Sequence, residues 1–141
     1  MVTGIFGENC AGKSTLADEL ARRTGAEIVS GRDYLRMAKS EAEAERIFRA
    51  KLADPGDSVI YVVSDFDQLA LLPDGARRIY VRADLETIKE RFKARMRGVL
   101  PPPVAAMLEK KHGMFEGERA DLVFDGANGD PAAFCDGLER L

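Results

Sequence analysis

Eight consecutive residues near the amino terminus have the types and spacing of a phosphate-binding loop. Residues 7–14 read Gly-Glu-Asn-Cys-Ala-Gly-Lys-Ser, which fits the pattern G-x-x-x-x-G-K-[ST]. Gly7 and Gly12 permit a close approach of the backbone, so successive N–H groups can line a concavity for phosphate oxygens. The Lys13 ammonium suits the β and γ phosphates of a nucleoside triphosphate, and the Ser14 hydroxyl suits Mg²⁺. We therefore predict a site for ATP with Mg²⁺, whose nucleotide contacts are Gly7, Asn9, Cys10, Ala11, Gly12, Lys13, Ser14 and Thr15.

A carboxylate further along the chain is a candidate for the metal side of this site. Asp65 follows the apolar run 59–64, and Asp67 lies two residues beyond it. A carboxylate at the end of a neighbouring strand can hold Mg²⁺ or one of its water molecules. We predict that Asp65 assists the metal together with Ser14, and Asp67 is the alternative. The competing interpretation is that Asp65 only turns the chain after the strand.

A phosphate loop must lie between a strand and a helix, and the sequence predicts both. The apolar run Val2–Phe6 predicts a strand, and residues 14–24 predict an amphipathic helix that ends at Gly25. Further strands are predicted at residues 26–29, 58–64, 76–81 and 122–124. This alternation predicts an α/β chain with three αβα layers and a five-stranded parallel sheet. Together with the phosphate loop at residues 7–14, it indicates the P-loop NTPase fold.

The remaining helices are predicted from their caps and their apolar spacing. They extend over residues 33–52, 85–96, 104–115 and 131–138. Asp33, Asp84 and Asp130 are the predicted N-caps. Pro101–Pro103 predicts an extended break before the helix at residues 104–115.

Composition limits the classes of protein to which this chain can belong. With 141 residues, 45% of them hydrophobic and 32% charged, the sequence predicts one globular domain over residues 1–141. A net charge of −3 predicts no nucleic-acid partner, and the absence of a long apolar run predicts no membrane partner. Cys10 and Cys135 are too far apart for a zinc or redox motif, and His112 is the single histidine. We expect a cytoplasmic protein and make no prediction of its oligomeric state.

The segment after the second predicted strand carries a resemblance to a known family. Residues 29–38 read Val-Ser-Gly-Arg-Asp-Tyr-Leu-Arg-Met-Ala, which is similar to the adenylate kinase stretch S-T-G-D-x-L-R-x-A. The chain thus resembles the small P-loop kinases of the nucleoside monophosphate kinase group, adenylate and cytidylate kinases above all. The resemblance implies that Arg36 binds the acceptor phosphate and that Asp33 also contacts the acceptor. Tyr34 has two interpretations, stacking on an acceptor base or packing on the core.

A pair of arginines extends the resemblance to the region where this family has its lid. Arg91-Phe92-Lys93-Ala94-Arg95 resembles the family's R-x-x-x-R, and on a helix the two arginines share a face. The resemblance implies that both close over the transferring phosphoryl group and stabilise its charge. The alternative is a solvated basic helix face. The family's large lid is reduced here to a short loop at residues 98–103.

Three functions follow from these residues. The leading prediction is a phosphotransferase that moves the γ-phosphoryl group of Mg-ATP to a nucleoside monophosphate-like acceptor, with Lys13, Arg91, Arg95 and Asp33 as catalytic residues. A second is a kinase with a hydroxyl acceptor, as in shikimate or nucleoside kinases, in which Asp33 is the base. A third is a nucleotide-binding accessory protein or weak ATPase without acceptor chemistry.

Overall fold

The structure is a computed structural model that describes residues 1–140, and its centre is a five-stranded sheet. The strands are β1 Val2–Phe6, β2 Glu27–Ser30, β3 Val59–Val63, β4 Arg77–Arg82 and β5 Leu122–Asp125. They lie in the order β2-β3-β1-β4-β5, and every neighbouring pair is parallel. The predicted α/β fold with five parallel strands is confirmed.

Helices cover both faces of the sheet. They are α1 Lys13–Thr24, α2 Glu41–Ala53, α3 Phe66–Leu69, α4 Leu85–Arg95, α5 Pro102–Lys111 and α6 Pro131–Glu139, with a 3₁₀ helix at Asp33–Met37. One apolar cluster joins α2 and α3 to the sheet and includes Phe6, whose ring stacks on Tyr80 at 5.3 Å. The other joins α1, α4, α5 and α6 to the opposite face through residues such as Leu16, Ile88 and Leu138. The chain therefore has the predicted three layers.

The parallel register brings the carboxyl ends of the strands to one edge of the sheet. Phe6 at the end of β1 pairs with Val63 at the end of β3 and with Tyr80 near the end of β4. The segments that follow β1, β2, β3 and β5 consequently leave the sheet on the same side. In open parallel sheets this edge is where ligands bind.

The prediction of one long helix over residues 33–52 is wrong. Asp33–Met37 forms the 3₁₀ helix, Ala38 is extended, and α2 begins only at Glu41. The Ser40 side chain accepts a hydrogen bond from the Glu43 N–H at 3.2 Å and so caps α2. A serine with a glutamate three residues later is a strong N-terminal signal, and it interrupts an apolar spacing that suited a single helix.

The other helix boundaries agree more closely with the sequence. Asp84 and Asp130 accept N-cap hydrogen bonds, as predicted, and Gly25 ends α1 with a φ of 73°. Helix α5 starts at Pro102 rather than after the proline run, because proline is well tolerated in a first helical turn. The single-turn helix α3 was not predicted. Among residues 1–140, no helix has both the length and the apolar character needed to cross a membrane.

Candidate functional site

A cleft of about 650 Å³ lies at the carboxyl edge of the sheet. Its walls come from the phosphate loop (residues 7–14), the segment 30–33 after β2, the end of α4, and residues between 124 and 131 after β5. The predicted site residues that line it are Asn9, Cys10, Gly12, Lys13, Ser14, Thr15, Asp33, Arg91 and Arg95. The predicted residues outside its lining are Gly7, Ala11, Arg36 and Asp65. One cavity thus brings together most of what the sequence singled out.

The two glycines of the phosphate loop are required by its conformation. A Cβ at position 7 would lie 2.4 Å from the Val81 carbonyl oxygen, so Gly7 allows the loop to pass directly over β4. Gly12 has a φ of 113° and stands at the N-cap of α1, where its backbone conformation is the left-handed one. The loop therefore ends at a helix N-terminus, whose N–H groups favour anions.

Lys13 is folded back onto the phosphate loop and is almost fully buried. Its Nζ donates hydrogen bonds to the carbonyl oxygens of Gly7 at 2.7 Å and Glu8 at 2.8 Å, and the residue is 7% exposed. Burial lowers the pKa of Lys13 from 10.5 to about 8, and the Arg95 guanidinium also lowers it. The negative charges nearby, including that of Asp65, oppose this shift. In the empty site the Lys13 ammonium therefore loses its proton more readily than an exposed lysine, and an incoming anion would stabilise its charged form.

Arg91 joins the phosphate loop to the segment after β5. Its guanidinium donates to the carbonyl oxygens of Cys10 at 3.1 Å and Gly126 at 2.6 Å. Gly126 packs so closely on the phosphate loop that a Cβ there would lie 1.8 Å from the Ala11 carbonyl oxygen. Arg95, one turn later on α4, also lines the cleft and is exposed. The two arginines face the same cavity, but Arg91 is engaged with backbone carbonyls.

Glu8, within the phosphate loop, makes contacts that the sequence did not predict. Its carboxylate is buried and turned away from the cleft, with Oε1 3.1 Å from His112 Nδ1 and Oε2 accepting the Gly113 N–H at 3.2 Å. An acid inside a loop that receives phosphates would repel them unless it were held elsewhere. That requirement is the sequence signal, but it does not identify the partner, because His112 lies 104 residues away.

The segment after β2 forms the opposite wall of the cleft. The Gly31 N–H donates to Val62 O at 2.8 Å, and Tyr61 Oη donates to Gly31 O at 2.7 Å, so the backbone is held against β3. Arg32 and Asp33, which follow directly, line the cleft. The sequence predicts a role for Asp33 and none for Arg32.

Two other residues of this segment lie away from the cleft. Arg36 is exposed on the 3₁₀ helix and does not line the cavity. Tyr34 is buried, with its ring stacked on Phe48 at 5.0 Å and an interplanar angle of 4°. Of its two interpretations, the structure supports packing on the core.

The metal prediction can be compared with the donors present. Ser14 lines the cleft in the first turn of α1. Asp65 is the N-cap residue of α3, makes no side-chain hydrogen bond to that helix, and lies close enough to Lys13 to raise its pKa. In the part of the chain that the structure describes, no three His, Cys, Asp or Glu side chains converge on one point. One hydroxyl and one carboxylate are donors of the type that Mg²⁺ binds when phosphate and water supply its other ligands. Asp65 lies outside the lining of the cleft, and the metal site stays a prediction.

Solved structures share this architecture over nearly the whole chain. An uncharacterized protein from Eubacterium ventriosum ATCC 27560 aligns with a TM-score of 0.73 at 18% identity, over 99% of this chain and 96% of that chain. A shikimate kinase from Bacteroides thetaiotaomicron aligns with a TM-score of 0.64 at 15% identity, over 100% and 99% of the two chains. A gluconokinase from Sinorhizobium meliloti 1021 aligns with a TM-score of 0.64 at 16% identity, over 98% and 91%. This chain has the P-loop kinase fold.

The likeness is one of fold. No protein-family model matches the chain, and no curated protein matches it. The P-loop kinase fold places the phosphate loop between the central strand and the first helix, as it lies here between β1 and α1. The narrower resemblance to nucleoside monophosphate kinases stays a prediction.

Proposed function

We propose that this protein is an ATP-dependent kinase that phosphorylates a hydroxyl group of a small acceptor molecule. The observation that carries the proposal is the cleft itself, in which the phosphate loop forms one wall and Asp33 lies on the other. A protein that only binds a nucleotide has no need of a carboxylate on the wall opposite its phosphate loop. Solved structures with this fold include a sugar kinase, a shikimate kinase and a gluconokinase, which supports a small-molecule acceptor.

On the nucleotide side, each group has a defined task. The N–H groups of the phosphate loop and Lys13 bind the phosphates. Ser14 in the cleft lining would hold Mg²⁺ with Asp65, which lies outside the lining but near Lys13, and the ion would neutralise phosphate charge. Arg95 lines the cleft close enough to Lys13 to lower its pKa, and so supplies a further positive charge near the phosphates. Arg91 acts as a positioning residue, because its bonds to Cys10 and Gly126 keep the phosphate loop in shape.

On the acceptor side, Asp33 serves as the general base. The acceptor hydroxyl gives its proton to the Asp33 carboxylate as its oxygen forms a bond to the γ-phosphorus. The bond between that phosphorus and the bridging oxygen breaks at the same time, and ADP leaves with the electron pair. Lys13 and Arg95 stabilise the charge that spreads over the transferring group.

The nucleoside monophosphate acceptor is less well supported by the geometry. That prediction depended on Arg36, which is exposed and outside the lining of the cleft. The aromatic side chain of this segment, Tyr34, is buried against Phe48 and does not offer a platform for a base. A hydroxyl acceptor needs only Asp33, which does line the cleft.

The test is a screen for ATP-dependent phosphorylation of sugars, hydroxy acids, nucleosides and nucleoside monophosphates. With the acceptor found, Asp33→Asn should lower kcat by about 10²- to 10⁴-fold and leave ATP affinity unchanged, because the base is lost but the phosphate loop is intact. Arg36→Met serves as the matched variant and should change the acceptor KM little.

Two results would count against the proposal. A large rise in the KM of a nucleoside monophosphate in Arg36→Met, with Asp33→Asn fully active, would assign the acceptor to the nucleoside monophosphates. ATP hydrolysis that no member of the screen stimulates would indicate an accessory protein or weak ATPase instead.

A further inference from the structure

The lining of the cleft has more basic side chains than acidic ones. Its lining contains four basic side chains, Lys13, Arg32, Arg91 and Arg95, and one acidic side chain, Asp33. Lys13 and Arg95 lie close enough for the arginine to lower the pKa of the lysine, so both belong to the phosphate end. Arg91 is held by two carbonyl oxygens. Arg32 is the basic side chain of the lining that the proposed phosphoryl transfer does not use.

Arg32 lies at the acceptor end rather than the phosphate end. It follows β2, which is separated from β1 by β3 in the sheet, so its backbone is roughly 10 Å from the strand that leads into the phosphate loop. The preceding residue, Gly31, is held to β3 by two hydrogen bonds. The position of the Arg32 backbone is therefore fixed, while its side chain is 58% exposed.

The present partner of Arg32 holds it only weakly. Its Nη2 lies 2.5 Å from Oε1 of Glu41, in the first turn of α2, and the Glu41 side chain is 68% exposed. Ion pairs between exposed side chains contribute little, commonly about 0–1 kcal/mol. An anionic ligand in the cleft can take the guanidinium from Glu41 at small cost, and a planar guanidinium can bind a carboxylate or phosphate through two hydrogen bonds.

We propose that the acceptor carries an anionic group as well as the hydroxyl that is phosphorylated, and that Arg32 binds this group. The inference rests on the proposed kinase function. Because Arg32 and Asp33 are consecutive, their Cα atoms are about 3.8 Å apart, and one small molecule can reach both. The chemical class is a hydroxy acid, sugar acid or sugar phosphate, in which an anion and a free hydroxyl occupy the same molecule.

The experiment compares acceptors in pairs that differ in the anion. Gluconate with glucitol and glycerate with glycerol test the carboxylate, and glucose 6-phosphate with glucose tests the phosphate. The readout is kcat/KM from ADP release for wild type and Arg32→Met. The matched control is Arg49→Met, since Arg49 is 53% exposed and paired with Glu45 in the same way but lies on α2 outside the lining of the cleft.

The expected result is a preference for the anionic member of a pair that depends on Arg32. Arg32→Met should lower kcat/KM for the anionic member about 10- to 100-fold through KM, as the loss of a charge-assisted contact does, with the KM of ATP unchanged. Arg32→Lys should restore part of the preference, and Arg49→Met should keep all of it. The pair that responds distinguishes a carboxylate from a phosphate.

Each contrary outcome has a separate meaning. If glucitol, glycerol or glucose is phosphorylated with the same kcat/KM as its anionic counterpart, this inference is wrong and the kinase function stands. The same holds if Arg32→Met keeps the preference for the anionic member. If only nucleoside monophosphates react and their KM responds to Arg36→Met, the anion site is not at Arg32 and the proposed hydroxyl acceptor is also wrong. If no compound of any class is phosphorylated, the proposed function itself fails.

Discussion

The binding of Mg-ATP should weaken steeply as the pH rises above about 8, because Lys13 loses its proton in the empty site. Burial lowers the pKa of Lys13 from 10.5 to about 8 before a ligand arrives. Phosphate oxygens stabilise the ammonium and raise that pKa again, so the bound state holds the proton to higher pH. Well below pH 8 Lys13 is protonated in both states, and the affinity should not depend on pH. Above pH 8 the empty site has lost this proton, so nucleotide binding is coupled to proton uptake by Lys13.

The size of the effect follows from the distance between the pH and the pKa. At about pH 9.5, roughly one Lys13 side chain in 30 is protonated in the empty site if its pKa is about 8. The dissociation constant should therefore rise about 30-fold between about pH 7 and pH 9.5, which is about 2 kcal/mol at about 1.4 kcal/mol for each unit. An unshifted lysine with a pKa of 10.5 would change affinity almost imperceptibly over this range.

Isothermal titration calorimetry measures both the affinity and the proton. Titrations at about pH 9.5 in two buffers with different ionisation enthalpies should show close to one proton taken up for each nucleotide bound. Lys13→Met is the control, and it should bind Mg-ATP weakly with no pH dependence in this range. A wild-type dissociation constant that stays constant to about pH 9.5, or an equal pH dependence in Lys13→Met, would refute the reasoning.

Three further predictions follow from the geometry. Gly126→Ala should destabilise the chain by about 1–3 kcal/mol in urea unfolding, because its Cβ would lie 1.8 Å from a phosphate-loop carbonyl oxygen. Gly137→Ala, in α6 with open space around it, should instead add about 0.5–1 kcal/mol, and destabilisation by both would contradict the steric argument. Ser14→Ala should weaken Mg-ATP binding more than binding of ATP with a chelator; equal losses would exclude a metal contact. His112→Ala should lower the free energy of unfolding by about 1–3 kcal/mol, because the buried Glu8 carboxylate would lose one of its two partners and keep only the Gly113 N–H. An unchanged Tm would show that the contact is unimportant.

The features that follow from local sequence were predicted well. The apolar run Val59–Val63 is a buried strand because every residue in it suits a strand covered on both faces. The phosphate loop ends at α1 because Gly12 and the residues beside it determine the turn within a few positions. In both cases the determining residues are neighbours in the chain, so their pattern is visible without the fold.

The segment after β2 shows where local pattern is insufficient. The spacing of Leu35 and Phe48 suits one buried helix face, and both residues do pack in the same apolar cluster. Their shared burial does not require a continuous helix, and the cap at Ser40 divides the segment in two. Periodicity reports which residues face the core, but a cap decides where the helix begins. The 3₁₀ helix that results leaves Arg36 outside the cleft.

Contacts between distant parts of the chain could not be predicted from one sequence. Glu8 meets His112 across 104 positions, and Arg91 meets Gly126 across 35. No sequence motif identifies either pair of residues, and both contacts depend on the order of the strands in the sheet. The proposed role of Arg32 could not be predicted either, because it depends on the side of the cleft where its backbone lies rather than on its residue type.

The dependence of the phosphate loop on Gly126 and Arg91 bears on the order in which this protein can acquire activity during synthesis. Residues 7–14, which form the nucleotide motif, leave the ribosome before the rest of the site. The groups that hold the loop in place, Arg91, His112 and Gly126, emerge only much later. A nascent chain that ends before β5 should therefore contain the complete motif and yet bind no nucleotide. Competence should arise abruptly when the last strand joins the sheet, so ATP can stabilise the finished fold but cannot guide its early steps.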